Sequence, residues 1–406
     1  MAMKQTQTKL FDFSDVGLDF CAGSKNLFPD RFKKMLSQGY NVQTVTGVAI
    51  VGDQVTFTYG GAHGYVADRV LKIDSGALAS INGGEFWIDS VTVNTVTMTI
   101  DDAPISAVAG FTTRIASLGW ELVYEVGMVH VYKLKTISEE DLYARFVFQN
   151  VATYRNTIAP CLGMSYDPAS GYITDLASIP STRNVPNATT GLKWDFTFSG
   201  SSGEVNYTYN QGYSTYGKAM VVGSLYHFFV LSNYYSTAGA NIINGFMPVH
   251  CFDFDVLANK VCVFVNNSNT ANNGLSADRT SEWQAYVGSI SVIIDIKNTT
   301  SGAFILNPQA YASYLPSRID PFQYTTAEPV RIYERQTGQF LGYAVASCYR
   351  LKYGSQAPTN TSTTTPSSVF IEDSDVLAII HNQTDSGNAG SSAWMCFPIE
   401  EVKLVD

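Results

Sequence analysis

The sequence predicts a mainly β protein: several small antiparallel β-sandwich or barrel-like domains, with one short helix near the N-terminus. Period-two alternation is the first observation behind this. In Gln54 to Tyr59, Val55, Phe57 and Tyr59 share one face of an extended chain, opposite Gln54, Thr56 and Thr58. The second is residue type. Val91 to Ile100 (VTVNTVTMTI) reads as one strand with β-branched residues on both faces. The third is punctuation, because Gly52-Asp53 and Ile81-Asn82-Gly83-Gly84 break the alternation at hairpin spacing.

Residues 1–40 read as an N-terminal arm and the short helix. MAMKQTQTKL holds too few apolar residues to fold alone, so the arm is expected to be loose or laid against a neighbouring subunit. In LFPDRFKKMLSQG, Pro29 suits a first helical turn and Asp30 its N-terminal end. Phe32 and Leu36 lie one turn apart, and Gly39 stops the run. Residues 41–117 form a small β domain, with Glu85 to Ser90 a strand after the second turn. Gly60 to Tyr65 is a glycine-rich turn; no Lys-Ser/Thr follows and no helix begins there, so a phosphate loop is not expected.

Residues 118–320 form a larger β-sandwich domain. Its strand-like runs are Gly119 to Glu125, Met128 to Leu134, Tyr143 to Gln149, Lys193 to Gly200, Ala219 to Ser232, Phe246 to Phe254, Lys260 to Asn266 and Val287 to Ile296. Gly223 to Leu231 is apolar on both faces, as in a central sandwich strand. Thr182 to Gly191 and Asn266 to Asp278 read as surface loops. The prolines between Pro308 and Pro329 mark a boundary, and residues 321–406 form a C-terminal β domain. There, Val330 to Gly342 reads as a hairpin about Gln336-Thr337-Gly338, and Gln356 to Ser368 as a low-complexity loop. Strands follow at Val369 to Ile371, Val376 to His381 and Ala393 to Leu404. No repeat with a period of about 20–50 residues appears, which disfavours solenoids and propellers.

The 406-residue chain carries 15% charged residues, with 24 Tyr and 23 Phe, where globular proteins carry about a quarter charged. Uncharged Tyr, Thr, Ser and Asn must cover much of the surface. That suits contact with other subunits or with sugars, or simply a Thr/Ser-rich β protein. The net charge is −10 and the basic residues cluster no further than Arg31, Lys33 and Lys34, so nucleic acid is not an expected partner. No apolar core follows Lys4 as in a secretory signal, and no run of about 18 apolar residues is present. A soluble protein made in the cytoplasm, without membrane insertion, is expected. The six cysteines, at 21, 161, 251, 262, 348 and 396, include no CxxC pair and read as free thiols; only an oxidising exterior would pair Cys251 with Cys262.

No catalytic residue, cofactor or metal is predicted. The five histidines stand apart in sequence without HExxH. His63 and His381 fall in turns or strand ends, and His130, His227 and His250 within strands, where structural roles are expected. No GxSxG elbow occurs, and Gly200-Ser201-Ser202-Gly203 reads as a loop. Asp253 and Asp255 in CFDFDV would share a strand face, and Asp101-Asp102 end a strand. Such pairs are what a glycosidase needs, but solvated acids are the commoner outcome. Glu372, Asp373 and Asp375 resemble a calcium cluster without the glycine and distal glutamate of an EF-hand. Tyr207, Tyr209, Tyr213 and Tyr216 form the candidate contact surface, since tyrosine offers large contact area at modest entropy cost. A tyrosine-rich hairpin packed on its own sheet is the plainer alternative.

The phrases HGYVADRVLKI, GGEFWIDSVTVNTVTMTIDDAP, GWELVYEVGMVHVYKLK and DLYARFVFQ resemble virion structural proteins of tailed bacteriophages, from the tail or baseplate. The resemblance is clearest over residues 25–230. It implies an assembled, β-rich virion (phage tail) subunit present in several copies; with no catalytic motif in the chain, a non-enzymatic role is expected. Its partners would be other virion proteins and copies of itself, and it would contribute to tail architecture or anchor fibres. The C-terminal third matches less specifically, which leaves open an adhesin at the tail tip that binds host surface glycan. A glycan-degrading tail enzyme is the third possibility.

Overall fold

The computed structural model describes residues 7–151, 154, 156–189, 191–196, 219–233, 241–265, 284–294, 327–345, 347–351, 367–371, 376–383 and 393–400. The fold is mainly β, as the alternation predicts. After β1 (Lys9–Asp12), helix α1 (Phe28–Lys33) follows a 3-10 turn and runs on into a π turn over Lys34–Gln38. Pro29 stands in its first turn with Asp30, where carboxylates complement the free N–H groups. Phe28, Phe32, Met35 and Leu36 are buried on one side. Gly39 ends the helix at φ 76°, and a Cβ there would stand 2.4 Å from Ile115 O.

The first barrel comprises β2 (Tyr40–Val51), β3 (Gln54–Tyr59), β4 (Val70–Ile73), β5 (Glu85–Trp87), β6 (Ser90–Val91), β7 (Thr95–Thr99) and β8 (Thr112–Ile115). Their order is β5-β4-β8-β2-β3-β7-β6. The two ends of this order are consecutive in the chain, separated by Ile88 and Asp89. Ile88 N donates to Arg69 O and Asp89 N to Thr97 O, so one bent segment pairs with β4 at one end and with β7 at the other and draws the two ends of the sheet together into a barrel. Val55, Phe57, Tyr59, Phe86, Val96 and Met98 fill the inside. The predicted single strand Val91 to Ile100 is instead a hairpin: Thr92 N donates to Thr95 O and Thr92 Oγ1 bonds Thr95 Oγ1. Threonine hydroxyls serving the backbone favour a turn that alternation alone conceals.

A five-stranded sheet follows, with β9 (Glu121–Val126), β10 (Val129–Lys135), β11 (Asp141–Phe148), β12 (Thr157–Gly163) and β13 (Trp194–Asp195) in the order β13-β12-β11-β10-β9. The excursion between β12 and β13 is clasped by buried Arg145. Its guanidinium donates to Gly171 O (2.9 Å), Thr182 O (3.4 Å) and Val185 O (2.7 Å) and lies over the Tyr172 ring.

The remaining strands are β14 (Ala219–Gly223), β15 (Phe228–Asn233), β16 (Asn241–Cys251), β17 (Val261–Phe264), β18 (Gln284–Val287), β19 (Ile290–Ile294), β20 (Ala327–Pro329), β21 (Arg331–Glu334), β22 (Phe340–Ala344), β23 (Tyr349–Leu351), β24 (Ser367–Ile371), β25 (Val376–Gln383) and β26 (Ala393–Ile399). Nine strands pair as β1-β14-β15-β16-β17-β18-β19-β21-β22, and β22 pairs back onto β16. The six strands from β16 to β22 therefore close a second ring. This sheet includes strands from before residue 118 and from beyond residue 320. A further sheet, β20-β23-β26-β25-β24, lies beside it.

Gly223 to Leu231 is a hairpin and not one central strand. Ser224 N donates to His227 O (3.0 Å), while Ser224 Oγ accepts from Tyr226 N and bonds His227 Nδ1. Both faces are nevertheless buried. Phe228, Val230 and Phe246 join Phe32, Trp120, Phe146 and Trp194 on one side, and Phe229, Leu231 and Met247 join Ile379, Met395 and Phe397 on the other. Each such ring withdrawn from water stabilises the fold by roughly 2–3 kcal/mol.

From Thr8 onward the predicted arm is neither loose nor left for a neighbouring subunit. Leu10, Phe11, Phe13, Leu18 and Phe20 are buried in this chain's own core, and β1 pairs antiparallel with β14 from Lys9↔Gly223 to Asp12↔Met220. Thr8 N and Oγ1 both donate to Glu400 O. The alternation KLFDF was too short to count as a strand until a distant partner was known.

Candidate contact surface

Four of the five histidines, His63, His130, His227 and His381, take structural positions. His63 accepts from Tyr65 N at Nδ1 (2.9 Å) and meets the carbonyls of Thr92 and Thr95 through Nε2. His130 lies in β10, buried beside Tyr132 and Phe148; burial outweighs Glu125 and lowers its pKa to about 4. His227 stands in the β14–β15 turn, not in a strand, and burial lowers its pKa to about 3. His381 lies inside β25, not at its end, with Nε2 3.2 Å from Ser232 O, and burial lowers its pKa to about 4. His250 on β16 is exposed.

All six cysteines are free. Cys262 faces Met247 across β16 and β17, not Cys251, and burial pushes its thiol pKa well above the usual value. Among the described residues no group of three or more His, Cys, Asp or Glu is placed to hold a metal ion. Glu372, Asp373 and Asp375 lie outside the described residues, as do Gly200 to Gly203 and the candidate tyrosines Tyr207, Tyr209, Tyr213 and Tyr216.

Asp253 and Asp255 do not share a strand face. β16 ends at Cys251, Asp253 is 91% exposed in its side chain with Oδ1 3.3 Å from Lys260 Nζ, and Asp255 opens a 3-10 turn. Asp101 and Asp102 are exposed in the turn after β7, with Asp102 at φ 60°.

The second ring carries the surface that stands out among the described residues. β22 approaches β16 so closely that a Cβ at Gly342 would stand 1.9 Å from His250 O. That register sets Tyr343 opposite both His250 and Arg331, on the outer face. A bulge then brings Phe340 opposite Tyr333 on the same side. The rings of Tyr333 and Phe340 are 5.4 Å apart and those of Phe340 and Tyr343 are 4.9 Å apart, both edge-on. Beyond the end of β16, Phe252 N donates to Leu341 O, and Phe252, Phe254, Val256 and Tyr343 are all between 44% and 51% exposed. A Cβ at Gly288 would meet both Val256 O and Ala177 O within 2.6 Å, so the loop bearing exposed Leu176 reaches the end of the strip.

Partly exposed rings and aliphatic side chains in a run of this length are the kind of surface that contact faces use. The sequence held a sign of it: Tyr333 has the same parity as Arg331 and Arg335, so it belongs to the polar face. Phe252 and Phe254 gave none, because nothing local ends β16 at Cys251.

No protein-family model matches the chain, and no curated protein matches it. Among solved structures, the chain is similar to the phage phi92 endosialidase at 11% identity and a TM-score of 0.17, over 90% of this chain and 53% of that one. The chain thus spans about half the length of that structure, and a likeness at that score carries no argument about fold or activity.

Proposed function

We propose that this chain is a non-enzymatic structural subunit of a tailed-bacteriophage virion, from the tail or baseplate. It is made in the host cytoplasm and assembles through contacts with other virion proteins and copies of itself. The observation that carries the reading is the aromatic strip of Phe252, Phe254, Tyr333, Phe340 and Tyr343, left partly exposed on the outer face of the second ring. The sequence phrases within residues 25–230 add the association with phage virions. Closed barrels offer few free strand edges, so docking proceeds through side-chain faces and loops, and several weak faces per subunit give avidity. Antibody labelling of purified particles, imaged by electron microscopy, tests the reading. Label at fixed tail positions is expected; particles without this chain overturn it.

The same strip favours a second reading, a tail-tip adhesin for host surface glycan, because exposed rings beside Asp253, Lys260 and Arg331 match the stacking faces and hydroxyls of sugars. Alanine at Tyr333 and Tyr343, or at Tyr207, Tyr209, Tyr213 and Tyr216, separates the two. Loss of host adsorption by normally assembled particles favours the adhesin; unchanged adsorption removes it. Incubation of pure protein with host polysaccharide tests for an enzyme, and chain shortening would contradict the non-enzymatic assignment.

A further inference from the structure

We infer that the loop-covered end of the first barrel is a docking knob for a protein surface offering an apolar socket bordered by lysine or arginine. The inference deepens the subunit reading by naming the kind of partner it meets. Residues 101–110 leave β7 and cross the end of the barrel. Ile100 N donates to Asp53 O (2.8 Å), Ala103 N to Ile100 O (3.3 Å) and Gly110 N to Val45 O (2.9 Å), which ties the loop down at both ends. Ala103, Ala107 and Ala109 pack inward on the barrel core. The residues turned outward are Ile105, 99% exposed, and Val108, 88% exposed, and Val51 at the adjoining hairpin tip is 78% exposed. A cover for a barrel needs the reverse, with large side chains inside and small or polar ones in water.

Charge identifies the occupant. Asp53, Asp101 and Asp102 are exposed around the three aliphatic side chains. No Lys or Arg occurs between Lys34 and Arg69 or between Lys72 and Arg114. Residues 41–113 hold two basic and seven acidic residues, a net of −5, which is half of the chain's −10 in under a fifth of its length. Such a field draws a cationic protein surface to the knob and repels nucleic acid, anionic lipid and a like-charged copy of this barrel.

The test uses the full chain and a fluorescent 14-residue helical peptide of leucine and lysine as the probe, with binding read by anisotropy. Ile105→Ser with Val108→Ser is expected to weaken binding at least tenfold. Asp101→Asn with Asp102→Asn should weaken it several-fold and flatten its salt dependence. Val126→Ser, at the exposed end of β9 and outside both the knob and the aromatic strip, should leave it within twofold. Circular dichroism and melting temperature should not move, since all these side chains are exposed. No binding, or equal binding by the wild type and the Ile105/Val108 variant, overturns the knob. Immunoblotting purified particles is the separate check on the subunit reading: absence of the chain there removes that reading and leaves the peptide result to decide the knob.

Discussion

Asp15 holds three segments together with one carboxylate. Its oxygens accept from Arg69 Nε (2.8 Å) and Nη2 (3.0 Å), from Tyr40 Oη (2.7 Å) and from Asp12 N (3.1 Å), all buried. Fixed bidentate geometry and two further hydrogen-bond donors, Tyr40 Oη and Asp12 N, make this pair worth more than a surface ion pair. Asp15→Asn strands the Arg69 guanidinium in a dry site, and we expect a loss of about 3–5 kcal/mol in urea unfolding. Asp15→Leu with Arg69→Met removes both charges and should recover much of that loss. A single mutant within 1 kcal/mol of wild type would show that water reaches the pair. None of this was legible beforehand, because residues 15, 40 and 69 belong to different segments.

At the scale of elements, the helix and the hairpin turns were legible because their signals are local. Pro29, Asp30 and Gly39 act on neighbours, as do Gly52 in the β2–β3 turn and Gly338 in the β21–β22 turn, at φ 60° and 68°. Gly39→Ala must adopt a left-handed conformation with its Cβ against Ile115 O. We expect a cost of roughly 2–3 kcal/mol, measured by thermal unfolding; an unchanged melting temperature would mean that the π turn relaxes. β1 behaves differently from its sequence reading as an arm. Removing residues 1–15 takes away one edge of the nine-stranded sheet, the Asp15 carboxylate and the buried Leu10, Phe11 and Phe13. We expect insoluble protein or loss of the cooperative melting transition, and a truncated chain that melts like wild type would refute this.

The whole molecule adds a pH response that no single element shows. His130, His227 and His381 are held neutral by burial, with pKa values of about 4, 3 and 4, whereas the unfolded chain protonates them near 6.5. The unfolded state therefore binds more protons as pH falls from about 6.5 to 4. Stability is complete above about pH 7 and declines through that window, by about 1.4 kcal/mol per pH unit for each histidine. Urea unfolding between pH 7 and 5 should show this slope, and His130→Phe should reduce it by about a third. A flat profile would mean that these imidazoles reach water.

The sequence by itself determined the β class, the helix and its stop, and several hairpin turns, because alternation, proline and glycine act within a few residues. Only the tertiary structure decided that both barrels close, that β1 crosses to β14, and that Phe252, Tyr343 and Ile105 face outward. A strand's alternation is the same whichever partner it finds, and an apolar side chain is covered or exposed according to what the rest of the chain lays over it.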